Sequence, residues 1–130
     1  MNCAENGLMT RVGGEFVRMT NEDVKYEFPF LNENGTIVTN PTNFTVVFYI
    51  ENRTGSAACY RNGSAKPINC KIGVDGWVTF FLPKNTFNEG WLMCETKWVI
   101  IDADFPGGTR TIRGKYSTGV KYVQGEGMIA

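Results

Sequence analysis

The ten residues NFTVVFYIEN, positions 43–52, constrain the fold more than any other part of the chain. Phe44, Val46, Phe48 and Ile50 recur at a period of two. Alternate side chains of an extended strand point to opposite faces, so these four line one apolar face. Val47 and Tyr49 make the other face half apolar, which predicts a strand in the middle of a sheet.

Other segments repeat the pattern. In Val24–Leu31, Tyr26, Phe28 and Phe30 alternate with Lys25 and Glu27. Pro29 cannot donate to a ladder, which predicts an edge strand or a bulge there. Gly14–Thr20 is a shorter candidate, and Asn34–Thr36 reads as a turn. Asp75-Gly76 predicts a hairpin into a strand whose Val78, Phe80 and Leu82 face the core. Lys84–Gly90 reads as a loop. Trp91–Asp102 is a long strand with Leu92, Cys94, Thr96, Trp98 and Ile100 on one face. A further hairpin turns at Gly107-Gly108, and a separate last strand follows near Gly119. No helical periodicity persists over a comparable length. The pattern predicts an all-β fold, an antiparallel Ig-like β-sandwich of about seven to nine strands. The expected organisation is an N-terminal arm over residues 1–13, a sandwich over 14–125 and a tail over 126–130.

The stretch ACYRNGSAKPINC, residues 58–70, has two readings. Two cysteines enclosing the sequon Asn62-Gly63-Ser64 suggest a disulfide loop on a secreted glycoprotein. Alternatively, Asn62-Gly63 is a two-residue hairpin turn. In that register Cys59 faces Lys66, and Cys70 lies four positions further, about 13 Å along the strand. A disulfide needs Cα atoms within about 7 Å. The hairpin therefore predicts two reduced, mostly buried thiols. Of the other sequons, Asn34 is explained by its turn, and Asn43 and Asn52 by flanking a strand.

The chemistry of the chain is sparse. Histidine is absent, which removes the commonest general base and the usual triads. The cysteines lack a Cys-x-x-Cys spacing, and no glycine-rich phosphate loop occurs. No catalytic, cofactor-binding or metal-ligating residue is assigned. Asp102 and Asp104 could pair as carboxylates, but their position at a strand end reads first as turn capping. Thirteen basic and thirteen acidic residues balance, which argues against a nucleic-acid surface. Arg110, Arg113, Lys115 and Lys121 form a mild basic cluster that could meet an acidic partner. No apolar run is long enough to span a membrane as a helix. Residues 1–14 lack a signal-peptide pattern, which predicts folding in a cytoplasm.

From residue 43 the order of features carries a resemblance. The alternating strand is followed by an Asn-Gly turn, "INC", "VDG", "FFLPKNTFNEG", "GWLMCETKW", "FPGGTRTI" and the closing "STGVKYV". Over roughly residues 12–125 the chain resembles the small β-sandwich modules of phage structural proteins. These are akin to the N-terminal domain of the upper baseplate protein BppU, and most like the versions in Bacteroides and crAss-like phages. The resemblance implies a non-enzymatic virion protein that docks on capsid, fibre or tail subunits as an oligomer. With no shaft or receptor-binding head expected after the module, the resemblance favours a head-fibre, capsid-decoration or baseplate-adaptor role over direct host recognition. Expected exposure and turn content, not a motif, nominate Leu8, Arg11, Pro29, Arg110 and Arg113 as partner contacts. An alternative is a carbohydrate- or cell-surface-binding module in which Tyr60 and Trp91 stack on sugar.

Overall fold

The computed structural model describes residues 2–3, 9–12, 16–63 and 67–125, with side chains described for 16–63 and 69–125. Among the described residues the fold is all-β. Its strands are β1 (Asn2–Cys3), β2 (Met9–Val12), β3 (Val17–Met19), β4 (Val24–Pro29), β5 (Phe44–Ile50), β6 (Ala58–Asn62), β7 (Pro67–Ile68), β8 (Cys70–Ile72), β9 (Trp77–Leu82), β10 (Gly90–Ile101) and β11 (Thr109–Val123). They form a five-stranded sheet, β1-β2-β4-β9-β8, and a six-stranded sheet, β3-β11-β10-β5-β6-β7. Every pair is antiparallel except β3 with β11, which is parallel.

The two sheets meet through aromatic side chains. Tyr26, Phe28 and Phe80 of the five-stranded sheet face Phe48 and Tyr60 of the six-stranded sheet, and all five are buried. Phe48 packs edge-on against Tyr26, Tyr60 and Phe80, with ring centroids 5.4–5.6 Å apart. Such T-shaped contacts set the positive edge of one ring against the negative face of another. Phe28 stacks on Phe80 at 4.8 Å. The period-two faces read from β4, β5, β9 and β10 are thus the ones that pack together.

The turns follow glycine and asparagine chemistry. Gly76 has φ +86°, and a Cβ there would stand 2.3 Å from the Val38 carbonyl oxygen. Both backbone angle and space therefore require glycine. Asn43, Asn69 and Asn85 take the left-handed region that asparagine tolerates best. Arg53 also adopts it, at φ 61°, and its guanidinium lies 4.9 Å from the Tyr49 ring centroid.

Several expectations need correction. The described strands number eleven, more than the seven to nine expected. Two of the segments expected as separate strands merge into β11, a single 15-residue strand. The reason is Gly119, whose φ of +79° sits at the register irregularity opposite Trp91 and Met93. A glycine that reads as a break is here the bulge that lets the strand continue. Pro29 is not on an edge strand: β4 lies between β2 and β9, and Pro29 is buried at its end. Pairing of β4 with β2 stops at Glu27, so the missing Pro29 N–H costs no bond on that side. Met9–Val12, within the segment expected as an arm, forms β2 beside β4.

The turn at Asn62-Gly63 is also wider than expected. Arg61 pairs with Ile68 and Asn62 with Pro67, so Asn62 is a ladder residue and not a turn residue. It is buried, and its Nδ2 donates to the Pro41 carbonyl oxygen at 2.7 Å. Cys59 and Cys70 are free, but not because the register separates them. After Ile68 the chain bends at Asn69 and crosses to the other sheet, where Cys70 pairs with Phe80. Cys59 is exposed and Cys70 half-buried, so the expectation of two mostly buried thiols fails for Cys59.

Candidate docking surfaces

The β10–β11 hairpin is the longest ladder among the described residues, and it outruns its support. Strand β5 pairs with β10 only as far as Trp98↔Phe44, with one further backbone bond from Val99 N–H to the Asn43 oxygen. Beyond that point Val99, Ile100 and Ile101 pair only with Thr111, Arg110 and Thr109. The end of the hairpin therefore projects from the sheet. Its turn is closed by bonds from Asp102 N–H to Gly108 O and from Gly108 N–H to Phe105 O. Gly107 and Gly108 both have positive φ. Ile101 is almost fully exposed, at 91%, and Phe105 and Ile112 are also exposed. A cleft of about 590 Å³ lies beneath the projection, where Leu31, Val38, Trp98, Ile100 and Ile112 converge.

Polar contacts hold the hairpin to the loop after β4. Arg110 Nη2 donates to Glu33 Oε1, and Arg110 Nε lies 3.4 Å from Asp102 Oδ2. Hydrogen bonding to Glu33 raises the Arg110 pKa further above its ordinary value. Asp102 Oδ1 accepts the Asp104 backbone N–H at 3.0 Å. Both oxygens of Asp102 are thus engaged in shaping the hairpin, as the capping reading of this carboxylate pair has it. The Trp98 indole donates to the Thr42 carbonyl oxygen at 3.0 Å, which ties the base of the projection to the start of β5.

The nominated contact residues distribute unevenly. Arg113 is exposed on the face of β11 turned away from the core. Arg110 is half-buried and engaged with Glu33 and Asp102, so it is a brace of the hairpin more than a free contact. Pro29 is buried and offers no contact surface. Arg11 has its backbone in β2, whereas its side chain and all of Leu8 lie outside the described residues.

The two stacking candidates also separate. Trp91 is 45% exposed, with Lys121 Nζ 5.6 Å from its ring centroid. Tyr60 is 2% exposed, and its hydroxyl donates to the Phe81 carbonyl oxygen across the two sheets. Burial pushes the Tyr60 pKa well up. Tyr60 is therefore a core residue and cannot stack on sugar. Its alternation with exposed Arg61 and Cys59 carries the signal for that burial.

No protein-family model, no curated protein and no solved structure matches the chain. The surfaces must be read from their own chemistry. Asn34 and Asn52 illustrate this. Each Oδ1 accepts from the backbone N–H and the hydroxyl of the threonine two residues on. An Asn-x-Thr sequence that builds its own turn explains these two sequons, and the burial of Asn62 makes that sequon inaccessible in the folded chain.

Proposed function

We propose that the chain is a non-enzymatic virion structural protein of Ig-like sandwich type, a head-fibre, capsid-decoration or baseplate-adaptor subunit. The projecting β10–β11 hairpin carries this reading. A ladder extended past its sheet, tipped with exposed Ile101 and Phe105 and with exposed Ile112 at its base, is suited to docking on another protein. Its apolar tip would enter the partner, and its cleft would admit a partner side chain. The core beneath is filled by aromatic rings in edge-on, tilted and stacked contact, so the module would act as a rigid mount. The parallel edge strand β3, with Phe16, Val17 and Met19 exposed, adds a second apolar edge that suits self-association.

Mass spectrometry of particles purified from cells that carry the gene tests this reading. The chain is expected at a fixed copy number relative to the capsid protein; its absence from particles overturns the proposal. The second reading, a carbohydrate- or cell-surface-binding module, keeps one observation in its favour, the exposed ring of Trp91. Glycan binding lost on Trp91→Ala would promote it.

A further inference from the structure

The outward face of the six-stranded sheet has a charge pattern that its own fold does not explain. Strand register places Arg61 opposite Thr45, Thr45 opposite Lys97, and Lys97 opposite Arg113. These four residues form one row across β6, β5, β10 and β11. At about 4.8 Å per strand the row spans about 14 Å. The adjacent row places Val47 opposite Glu95 and Glu95 opposite Lys115. Arg61, Lys97, Arg113 and Lys115 are all exposed. Among the described residues none of the four makes a salt bridge. Lys97 and Arg113 are direct cross-strand partners, and like charges so placed disfavour the sheet.

The side chains of Thr45 and Val47 are short, and longer ones flank them. The result is an open groove of about 490 Å³ with Glu95, Lys97, Arg113 and Lys115 on its walls. We propose that this groove binds an acidic polypeptide segment of a partner subunit. Lys97, Arg113 and Lys115 would hold its carboxylates, with Arg61 at the far end of the same row. Glu95 decides between polymers. A carboxylate among the cations repels a uniformly charged polyanion such as nucleic acid or a sulfated glycan. It suits a peptide, whose N–H and hydroxyl donors alternate with its acidic groups. The groove walls also lack an exposed aromatic ring, the usual platform for sugar. The proposal rests on the docking reading above and gives it a surface and a chemistry. That surface lies on the opposite face of β10 and β11 from the cleft beneath the hairpin.

The test is fluorescence anisotropy on the purified chain with a fluorescein-labelled peptide of alternating glutamate and serine. Its alternating glutamine and serine counterpart and a heparin fragment serve as competing probes. The acidic peptide is expected to bind, and to bind less tightly as salt rises from about 50 to about 200 mM. Lys97→Gln combined with Arg113→Gln should weaken it at least about tenfold. Thermal unfolding of that double variant should stay level or rise, because the change removes a like-charge pair. Heparin binding without peptide binding overturns the proposal, as does peptide affinity unchanged in the double variant. A failed titration with the chain still present in particles overturns this surface alone. Absence from particles overturns the docking reading, whatever the peptide does.

Discussion

The inner and outer faces of β5, β10 and β11 are built from alternate residues of the same strands, yet they follow opposite rules. Inward, Phe44, Val46, Phe48, Leu92, Cys94 and Val120 are buried almost completely. Outward, Thr45, Lys97, Arg113 and Lys115 surround Glu95 in a polar, net cationic pattern, and the sheet would be more stable without its Lys97–Arg113 like-charge pair. The difference teaches where selection for folding ends. Substitution on the inner face should cost stability, and substitution on the outer face should cost binding.

The largest effect should come from Phe48→Ala. Phe48 is fully buried against three aromatic rings from both sheets, and its removal should cost about 3–5 kcal/mol in chemical denaturation. A loss below about 1 kcal/mol would contradict the packing described. Next comes Asn62→Ala, which leaves the Pro41 carbonyl without its buried donor. It should cost about 1–3 kcal/mol. The same substitution at exposed Asn52 should cost less, because water can replace its turn bonds.

Alkaline pH should weaken the inner face next. Burial pushes the Tyr122 phenol up to about 12, against about 10 in an unfolded chain. The folded state therefore holds its proton in a range where the unfolded state releases it. Stability contributed by Tyr122 is complete below pH 10 and is lost as pH rises through 12, by at most about 1.4 kcal/mol per pH unit. Denaturation midpoints should fall between about pH 10 and 12, and fall less in Tyr122→Phe. Thiol labelling sharpens the same contrast. Cys59 should react rapidly in the native state, whereas buried Cys94, its pKa pushed well up, should react only after unfolding. The smallest effect, on the outer face, is Lys97→Glu. It creates a cross-strand pair with Arg113 and should raise stability by about 0.2–1 kcal/mol.

What could be read from the sequence follows the same division. Period-two alternation identified the buried faces of β4, β5, β9 and β10, because burial leaves its mark on consecutive residues. Pairing was less legible. Gly119 reads as a terminus, and only the register across β10 shows it to be a bulge. Asn62-Gly63 has the composition of a tight turn, but the ladder continues through Asn62 because a buried carbonyl at Pro41 claims its side chain. Tyr60 illustrates the same limit: its partner, the Phe81 oxygen, lies on the other sheet. The basic cluster was legible only along β11. Arg61 and Lys97 join Arg113 through register across neighbouring strands, and no single segment contains that information.

Zero-length carboxyl-to-amine cross-linking of purified particles, read by mass spectrometry, tests the docking account most directly. Lys97 or Lys115 should be joined to acidic residues of a different virion protein. Particles that contain the chain but yield links from these lysines only within it would contradict the proposed surface, and particles that lack the chain would contradict the account as a whole.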